Sequence, residues 1–179
     1  ATINYRKAYN LFAVSGICFN HESPLRGEDF ITRKITTGLS KIKAGLLECL
    51  EVGNIDAKRD WGYAGDYVNA MWLMLQQKKA RDYIIVTGKT YTVRQFINEA
   101  VKHFGFNTYW IGKKESEKLK LKNNNKTIIR INKKFYRPNE VKTLLGDASK
   151  TKKYLNWKPD VDFKNLVKMM SLSDLELYN

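Results

Sequence analysis

The sequence predicts an α/β fold, and three observations carry that reading. Leu11-Phe12-Ala13-Val14-Ser15-Gly16-Ile17-Cys18-Phe19 is an almost unbroken apolar run, as expected of a strand covered on both faces. Tyr83-Ile84-Ile85-Val86, closed by Thr87-Gly88, reads as a second buried strand. Between and beyond them, apolar residues recur at helical spacing. One set is Phe30, Ile31, Ile35, Leu39 and Ile42; another is 93, 96, 97, 100, 101 and 104.

Taken in order, Asn4 to Asn10 reads as the tail of a helix that runs into the first strand. The first full helix begins near Asp29, and Gly45 is a suitable stop. Leu46 to Val52 reads as a short strand ending at the Gly53-Asn54 turn. Arg59-Asp60-Trp61-Gly62-Tyr63 leads to a helix from about Asp66, with Tyr67, Val68, Met71, Trp72 and Leu75 as its apolar residues. Thr92-Val93-Arg94-Gln95 is a capping box, in which each side chain satisfies the other's free amide. It opens a helix that Gly105 ends. Short strands follow at Thr108–Ile111 and Thr127–Ile131. Asp147 is placed to cap a helix reaching Leu155, and Lys158-Pro159 closes that region. Asp162 caps a last helix containing Leu166, Val167, Met169 and Met170.

At 179 residues and 43% hydrophobic, the chain suffices for one domain of about 100–200 residues. No internal repeat or dividing linker is visible. No run approaches the roughly 18 apolar residues of a membrane span. Cys18 and Cys49 read as buried free thiols, since neither has a partner at metal-ligand spacing. Together with the lack of an apolar stretch behind Ala1–Arg6, this makes a cytoplasmic setting the expectation.

The net charge is +14, and half of it lies in residues 113–134, where nine Lys/Arg face two Glu. With Asn123-Asn124-Asn125 inside it, this segment reads as a solvated Lys/Asn-rich loop or short strands. The alternative is a basic arm for nucleic acid, but the segment has no aromatic residue on which a base could stack. No nucleic-acid partner is therefore expected.

The sequence has no G-x-x-x-x-G-K, no G-x-G-x-x-G and no nucleophile elbow. Tyr-x-x-x-Lys spacing occurs at Tyr109…Lys113 and Tyr154…Lys158, but Gly112, Asn156 and Pro159 interrupt both. Phe19-Asn20-His21-Glu22-Ser23-Pro24-Leu25-Arg26 is different. It puts amide, imidazole and guanidinium donors between a strand end and a helix start, where α/β folds dock ligands. Three further clusters at loop–helix junctions could bind an anion. They are Thr32-Arg33-Lys34, Lys58-Arg59-Asp60-Trp61, and Arg137 with Glu140. Arg33 and Lys34 oppose the helix dipole, which makes a nearby phosphate the better explanation of them. Any one cluster alone would read as a surface ion pair; four in order suggest a diphosphate site.

Several motifs resemble the GDP-mannose 4,6-dehydratase family. Asn4-Tyr5-Arg6, Tyr9-Asn10-Leu11-Phe12-Ala13, Phe19 to Pro24 and Thr32-Arg33-Lys34-Ile35 carry the first part of the likeness. Asp56-Ala57-Lys58-Arg59-Asp60-Trp61-Gly62, Asp66-Tyr67-Val68, Tyr136-Arg137-Pro138, Glu140-Val141, Leu144-Leu145-Gly146-Asp147 and Leu155-Asn156-Trp157-Lys158-Pro159 continue it.

The resemblance implies the C-terminal part of an extended short-chain dehydrogenase fold, Rossmann-like. That part comprises the GDP-sugar-binding lobe and the last strands of the nucleotide-binding sheet, as one unit over 1–179. It implies NADP as cofactor, GDP-mannose as substrate and a homo-oligomer, dimer or tetramer. The product would be GDP-4-keto-6-deoxymannose, a precursor of fucose. By position, His21 and Arg26 would contact the cofactor. Asn20, Lys34, Arg59, Arg137 and Glu140 would contact the GDP-sugar. Leu25, Tyr63 and Gly65 depart from the family's usual Arg, His and Lys. The family's catalytic Tyr-x-x-x-Lys helix would precede Asn4-Tyr5-Arg6, so these 179 residues are expected to be inactive by themselves. The alternatives are a non-catalytic half-enzyme that binds nucleotide sugar or completes a partner, and a basic nucleic-acid-binding module.

Overall fold

The computed structural model describes residues 1–136 and 146–178. In chain order the first elements are α1 (Thr2–Tyr9), β1 (Ser15–Cys18), β2 (Asn20–Glu22), α2 (Ile31–Lys43) and β3 (Leu50–Val52). Next come β4 (Lys58–Arg59), β5 (Trp61–Tyr63), α3 (Ala64–Leu75), β6 (Asp82–Ile85) and β7 (Tyr91–Thr92). The last are α4 (Val93–His103), β8 (Thr108–Ile111), β9 (Lys118–Leu121), β10 (Thr127–Ile131), α5 (Ser149–Leu155) and α6 (Phe163–Leu177).

The larger core forms where α2, α4 and α6 pack on one another and on a four-stranded sheet ordered β3-β10-β9-β8. Ile35, Leu39, Phe96, Ile97, Leu119, Ile129, Leu166 and Met170 are all excluded from solvent. The helical spacing seen in α2 and α4 is thus the spacing of one buried face. Gly38 lets α2 lie close on β3, since a Cβ there would come within 2.8 Å of the Leu50 side chain. Arg33 ties α2 to α6 by pairing with the inaccessible Asp174 at 2.8 Å, and Thr37 and Ser40 also donate to Asp174. The Thr92/Gln95 capping box is present, and the Asp162 carboxylate accepts from the Asn165 amide.

A smaller core joins Tyr67, Ala70 and Met74 of α3 to Tyr83 and Ile85 of β6, with Leu155 and Trp157. Here β1 pairs in parallel with β6, from Ser15↔Asp82 to Cys18↔Ile85. Two more short pairs, parallel β2–β5 and antiparallel β4–β7, link the two regions.

Several expectations are corrected. The Leu11–Phe19 run is not a strand covered on both faces. Only Ser15–Cys18 is strand, and Leu11, Phe12 and Ile17 are exposed. Within the described residues β1 has β6 as its only strand neighbour, so its other edge carries no strand among them. The strand expected at Leu46–Val52 begins at Leu50, because Leu46 and Leu47 belong to the turn that caps α2. The helices expected from Asp29 and Asp66 begin at Ile31 and Ala64. Of the two readings of residues 113–134, loop or short strands, it is the short strands that form, and the strand expected at Thr127–Ile131 has those bounds. These residues hold β9 and β10, whose Leu119, Ile128 and Ile129 enter the larger core. The lysines of β9 alternate with Leu119 and Leu121, and that period-2 pattern marks a half-buried strand. Asp147 acts one position early: Ala148 is the N-cap residue, while the Asp147 carboxylate accepts from the amide and hydroxyl of Ser149. Cys18 and Cys49 are free thiols but only partly buried.

Candidate functional site

Parallel pairing of β2 with β5 sets Asn20 opposite Trp61, His21 opposite Gly62 and Glu22 opposite Tyr63. Side chains alternate along a strand, so Asn20 and Glu22 face one way and His21 the other. Asn20 and Glu22 line a cavity of about 440 Å³, within the range of small-molecule sites. Phe30, Ile31 and Lys34 enter it from the start of α2, Gly53, Asn54 and Ala57 from the loop after β3, and Arg59 from β4. Trp61, Phe135 and Tyr136 complete much of the wall.

Each polar group there is held by a specific neighbour. The Asn20 amide donates to the Asp60 carbonyl at 3.3 Å. Asp60 is itself inaccessible, and its carboxylate accepts from the Thr87 amide and hydroxyl and the Gly88 amide. That clamp fixes the short segment carrying Arg59 and Trp61. The Trp61 ring packs against Phe96 and Phe163, tying the cavity floor to the larger core. Lys34 Nζ stands 3.5 Å from the centroid of the Phe135 ring. Desolvation lowers its pKa from the ordinary lysine value, partly offset by Glu51. Gly53 permits this wall to form, because a Cβ there would lie 2.4 Å from the Phe135 carbonyl oxygen.

Glu22 is almost fully buried. The Thr32 hydroxyl donates to its carboxylate at 2.5 Å, and Arg26 Nε lies 3.4 Å away. Burial raises its pKa; the Thr32 hydrogen bond and the Arg26 charge oppose that rise without cancelling it. The Arg26 guanidinium lies 3.5 Å over the Phe30 ring, and its Nε is buried without a hydrogen-bond partner among the described residues. On the opposite face of β2, the His21 ring stands 5.5 Å from that of Tyr67, and Nδ1 is 2.9 Å from the Phe19 carbonyl.

The structure therefore brings Asn20, Lys34 and Arg59 to one cavity and puts His21 and Arg26 outside its lining. Arg137 and Glu140 lie outside the described residues. Arg33, read from the sequence as favouring a phosphate, instead donates to Asp174 and to the carbonyls of Pro24 and Arg26, bracing the loop before α2. Lys34 is the residue of that pair that reaches the cavity. Sequence reasoning missed Glu22, Gly53 and Phe135. An acid two residues after Asn20 on the same strand face was the available signal for Glu22. Nothing local marks Gly53 or Phe135, which meet only through the fold. Neither Tyr-x-x-x-Lys spacing lies on a continuous helix. The first leaves β8 through Gly112 at φ 92°, and the second leaves α5 through Asn156 at φ 48°.

Residues 1–170 match the family profile described as GDP-mannose 4,6 dehydratase. The human GDP-mannose 4,6 dehydratase is 51% identical over 175 residues, covering 98% of this chain and 47% of that protein. GDP-mannose 4,6 dehydratase 1 of Arabidopsis thaliana is 52% identical over 176 residues, covering 98% and 44%. The chain thus spans about half the length of the curated relatives it matches. Among solved structures, RMD of Pseudomonas aeruginosa, complexed with NADPH, superimposes with a TM-score of 0.78 at 17% identity, covering 98% of this chain and 52% of that one. The Bacillus cereus UDP-glucuronic acid 4-epimerase, in complex with UDP-glucuronic acid and NAD, gives 0.76 at 17% identity, covering 99% and 49%. These likenesses show an α/β Rossmann-like fold of the kind found in nucleotide-sugar dehydratases and epimerases.

Proposed function

Because this chain belongs to the GDP-mannose 4,6-dehydratase family, we propose that it forms the GDP-sugar-binding part of such an enzyme. One observation carries the reading: Asn20, Lys34 and Arg59, from three separate elements, converge on a single cavity. Two cations and an amide in a partly desolvated cleft suit a diphosphate and its sugar hydroxyls. Lys34 is a point charge on a flexible stem, while Arg59 offers a planar fork to phosphate oxygens. Arg137 and Glu140 belong to the same proposed ligand set.

The proposed overall reaction is conversion of GDP-mannose to GDP-4-keto-6-deoxymannose and water. A hydride would leave sugar C4 as the C4 hydroxyl gives up its proton, the C5 proton and C6 hydroxyl would leave as water, and the hydride would return at C6 while a proton is returned to C5. A bound NADP supplies the hydride acceptor and donor in that cycle. Support for a nicotinamide group comes from neighbours solved with NADPH or NAD. The residues fit it: Arg26, ion-paired with Glu22, has a buried Nε without a hydrogen-bond partner among the described residues, and His21 presents its imidazole on the face of β2 opposite the cavity. The alternation along β2 would let one tripeptide address substrate through Asn20 and cofactor through His21.

This chain's part in the reaction is to bind and orient. Neither of its Tyr-x-x-x-Lys spacings presents phenol and ammonium on one helix face, so the 179 residues are expected to bind without turnover. A homo-oligomeric, cytoplasmic enzyme is part of the same proposal. Calorimetric titration of the chain with GDP-mannose tests it. Saturable binding that weakens in Lys34→Ala supports the reading, and a folded chain giving no binding heat contradicts it.

A further inference from the structure

We infer that the outer face of the four-stranded sheet is a binding surface for single-stranded nucleic acid. The register builds that face. Across β8 and β9, Tyr109 stands opposite Lys120 and Ile111 opposite Lys118. Across β9 and β10, Lys118 stands opposite Arg130 and Lys120 opposite Thr127. Residues directly opposite in an antiparallel pair share a face, and this one lies away from the face on which Leu119 and Ile129 enter the larger core. Ile111, Lys118 and Arg130 are exposed, while Tyr109 and Lys120 are half-buried. None of these residues lines the cavity.

Cations here outnumber their partners. Glu51 pairs with Arg130 at 2.6 Å, Glu115 with Lys133 and Glu117 with Arg94. Lys118, Lys120, Lys122 and Lys126 have no ion pair among the described residues. Lys118 also faces Arg130 directly, and like charges opposite each other on a sheet are destabilising. The charges of Arg130, Lys118 and Lys126 all reach the Cys49 thiol, so these cations crowd one region. A bound polyanion relieves that repulsion. A face that served solubility alone would intersperse both signs.

The kind of polyanion follows from the ring set among these charges. No aromatic residue lies within 113–134, but the fold puts Tyr109 of β8 beside Lys120. The Tyr109 hydroxyl donates to the Asn125 side chain at 2.9 Å, which fixes the ring next to the turn between Lys122 and Lys126. Along β8, Ile111 follows Tyr109 at about 7 Å, and Lys118 and Lys120 of β9 repeat at the same interval. Binders of single strands combine such parts: cations that track the phosphates and a ring on which a base stacks. An acidic polypeptide would use the lysines and leave the ring idle. Every base has a face to stack, so the surface binds with little sequence preference. The inference is independent of the GDP-sugar reading.

Fluorescence anisotropy of a labelled oligouridine titrated with the chain at several salt concentrations tests it. The logarithm of the association constant should fall against that of salt with a slope of about −3, as for roughly four neutralised phosphates on a single strand. Lys118→Gln combined with Lys120→Gln should reduce the slope by about 1.4. Tyr109→Leu should weaken binding roughly tenfold at unchanged slope, while Tyr109→Phe, which keeps the ring, should bind as the parent chain does. The two lysines project from the surface, so their double variant melts as the parent chain does and carries the test even where Tyr109→Leu unfolds. GDP-mannose should not displace the oligonucleotide, which separates this surface from the cavity. Absence of binding at low salt, an unaltered slope in the double variant, displacement by GDP-mannose, or equal competition by polyglutamate of the same charge would each overturn the proposal.

Discussion

The two cores of this molecule are built from similar residues and end in opposite conditions. Around α2, α4 and α6, apolar periodicity and burial coincide, and Phe96, Leu39 and Leu166 are sealed by a four-stranded sheet. Around α3 and β1, comparable apolar residues occur, but only one side of each element is covered. The first region closes on itself and carries the cavity. The second region exposes the same kind of surface that the first one buries. Apolar patterning therefore reports what an element is built to pack against, including partners that the described residues do not contain.

The sharpest test of this contrast is a pair of truncations. Phe96→Ala should destabilise the chain by about 3–5 kcal/mol through lost packing and a residual cavity. Trp72→Ala should change stability by no more than about 0.5 kcal/mol, as at an exposed position. Denaturant unfolding of both variants measures the difference; equal losses would erase the distinction between the regions.

Next in size is the cavity that the first region supports. Lys34→Ala should weaken GDP-mannose binding by about 1.5–3 kcal/mol, the range of a charged hydrogen bond, with little change in unfolding. Nucleotide-sugar affinity should also fall at high pH earlier than for an ordinary lysine, because desolvation lowers the Lys34 pKa below 10.5. Gly53→Ala should cost about 1–3 kcal/mol in stability as well as affinity, since its methyl group meets backbone at Phe135.

The smallest expected effect concerns Glu22. Its folded-state pKa is raised from 4.5, so above that pH the folded state retains a proton that the unfolded chain has lost. Stability should therefore fall as pH rises from 4.5 through the folded-state value. Glu22→Gln should flatten that decline, as read from unfolding midpoints across the acidic range.

The legible parts of the fold were those where local chemistry and tertiary role agree. The Thr92/Gln95 box, the Asp162 cap and the glycine stops Gly45 and Gly105 act within a few residues of themselves. The four short strands around the cavity were not legible, because β2, β4, β5 and β7 are two or three residues long and exist only through pairing across the chain. In residues 113–134 the lysine-rich composition leaves loop and short strands both open, and the strand at Thr127–Ile131 is legible, whereas β9 is marked only by the alternation of Lys118, Leu119, Lys120 and Leu121. At the site, charged residues at element junctions pointed to Asn20, Lys34 and Arg59. Arg33 beside Lys34 was misjudged, since only its partner on α6, Asp174, reveals its structural use.

Hydrogen exchange on the chain, with and without GDP-mannose, tests the contrast most directly. Strong protection is expected in α2, α4 and β10, with added protection on ligand binding at the start of α2 and along 53–61. Fast exchange is expected in α1, β1 and the exposed side of α3, unchanged by the ligand. Uniform protection across both regions, or a ligand response confined to α3 and β1, would contradict it.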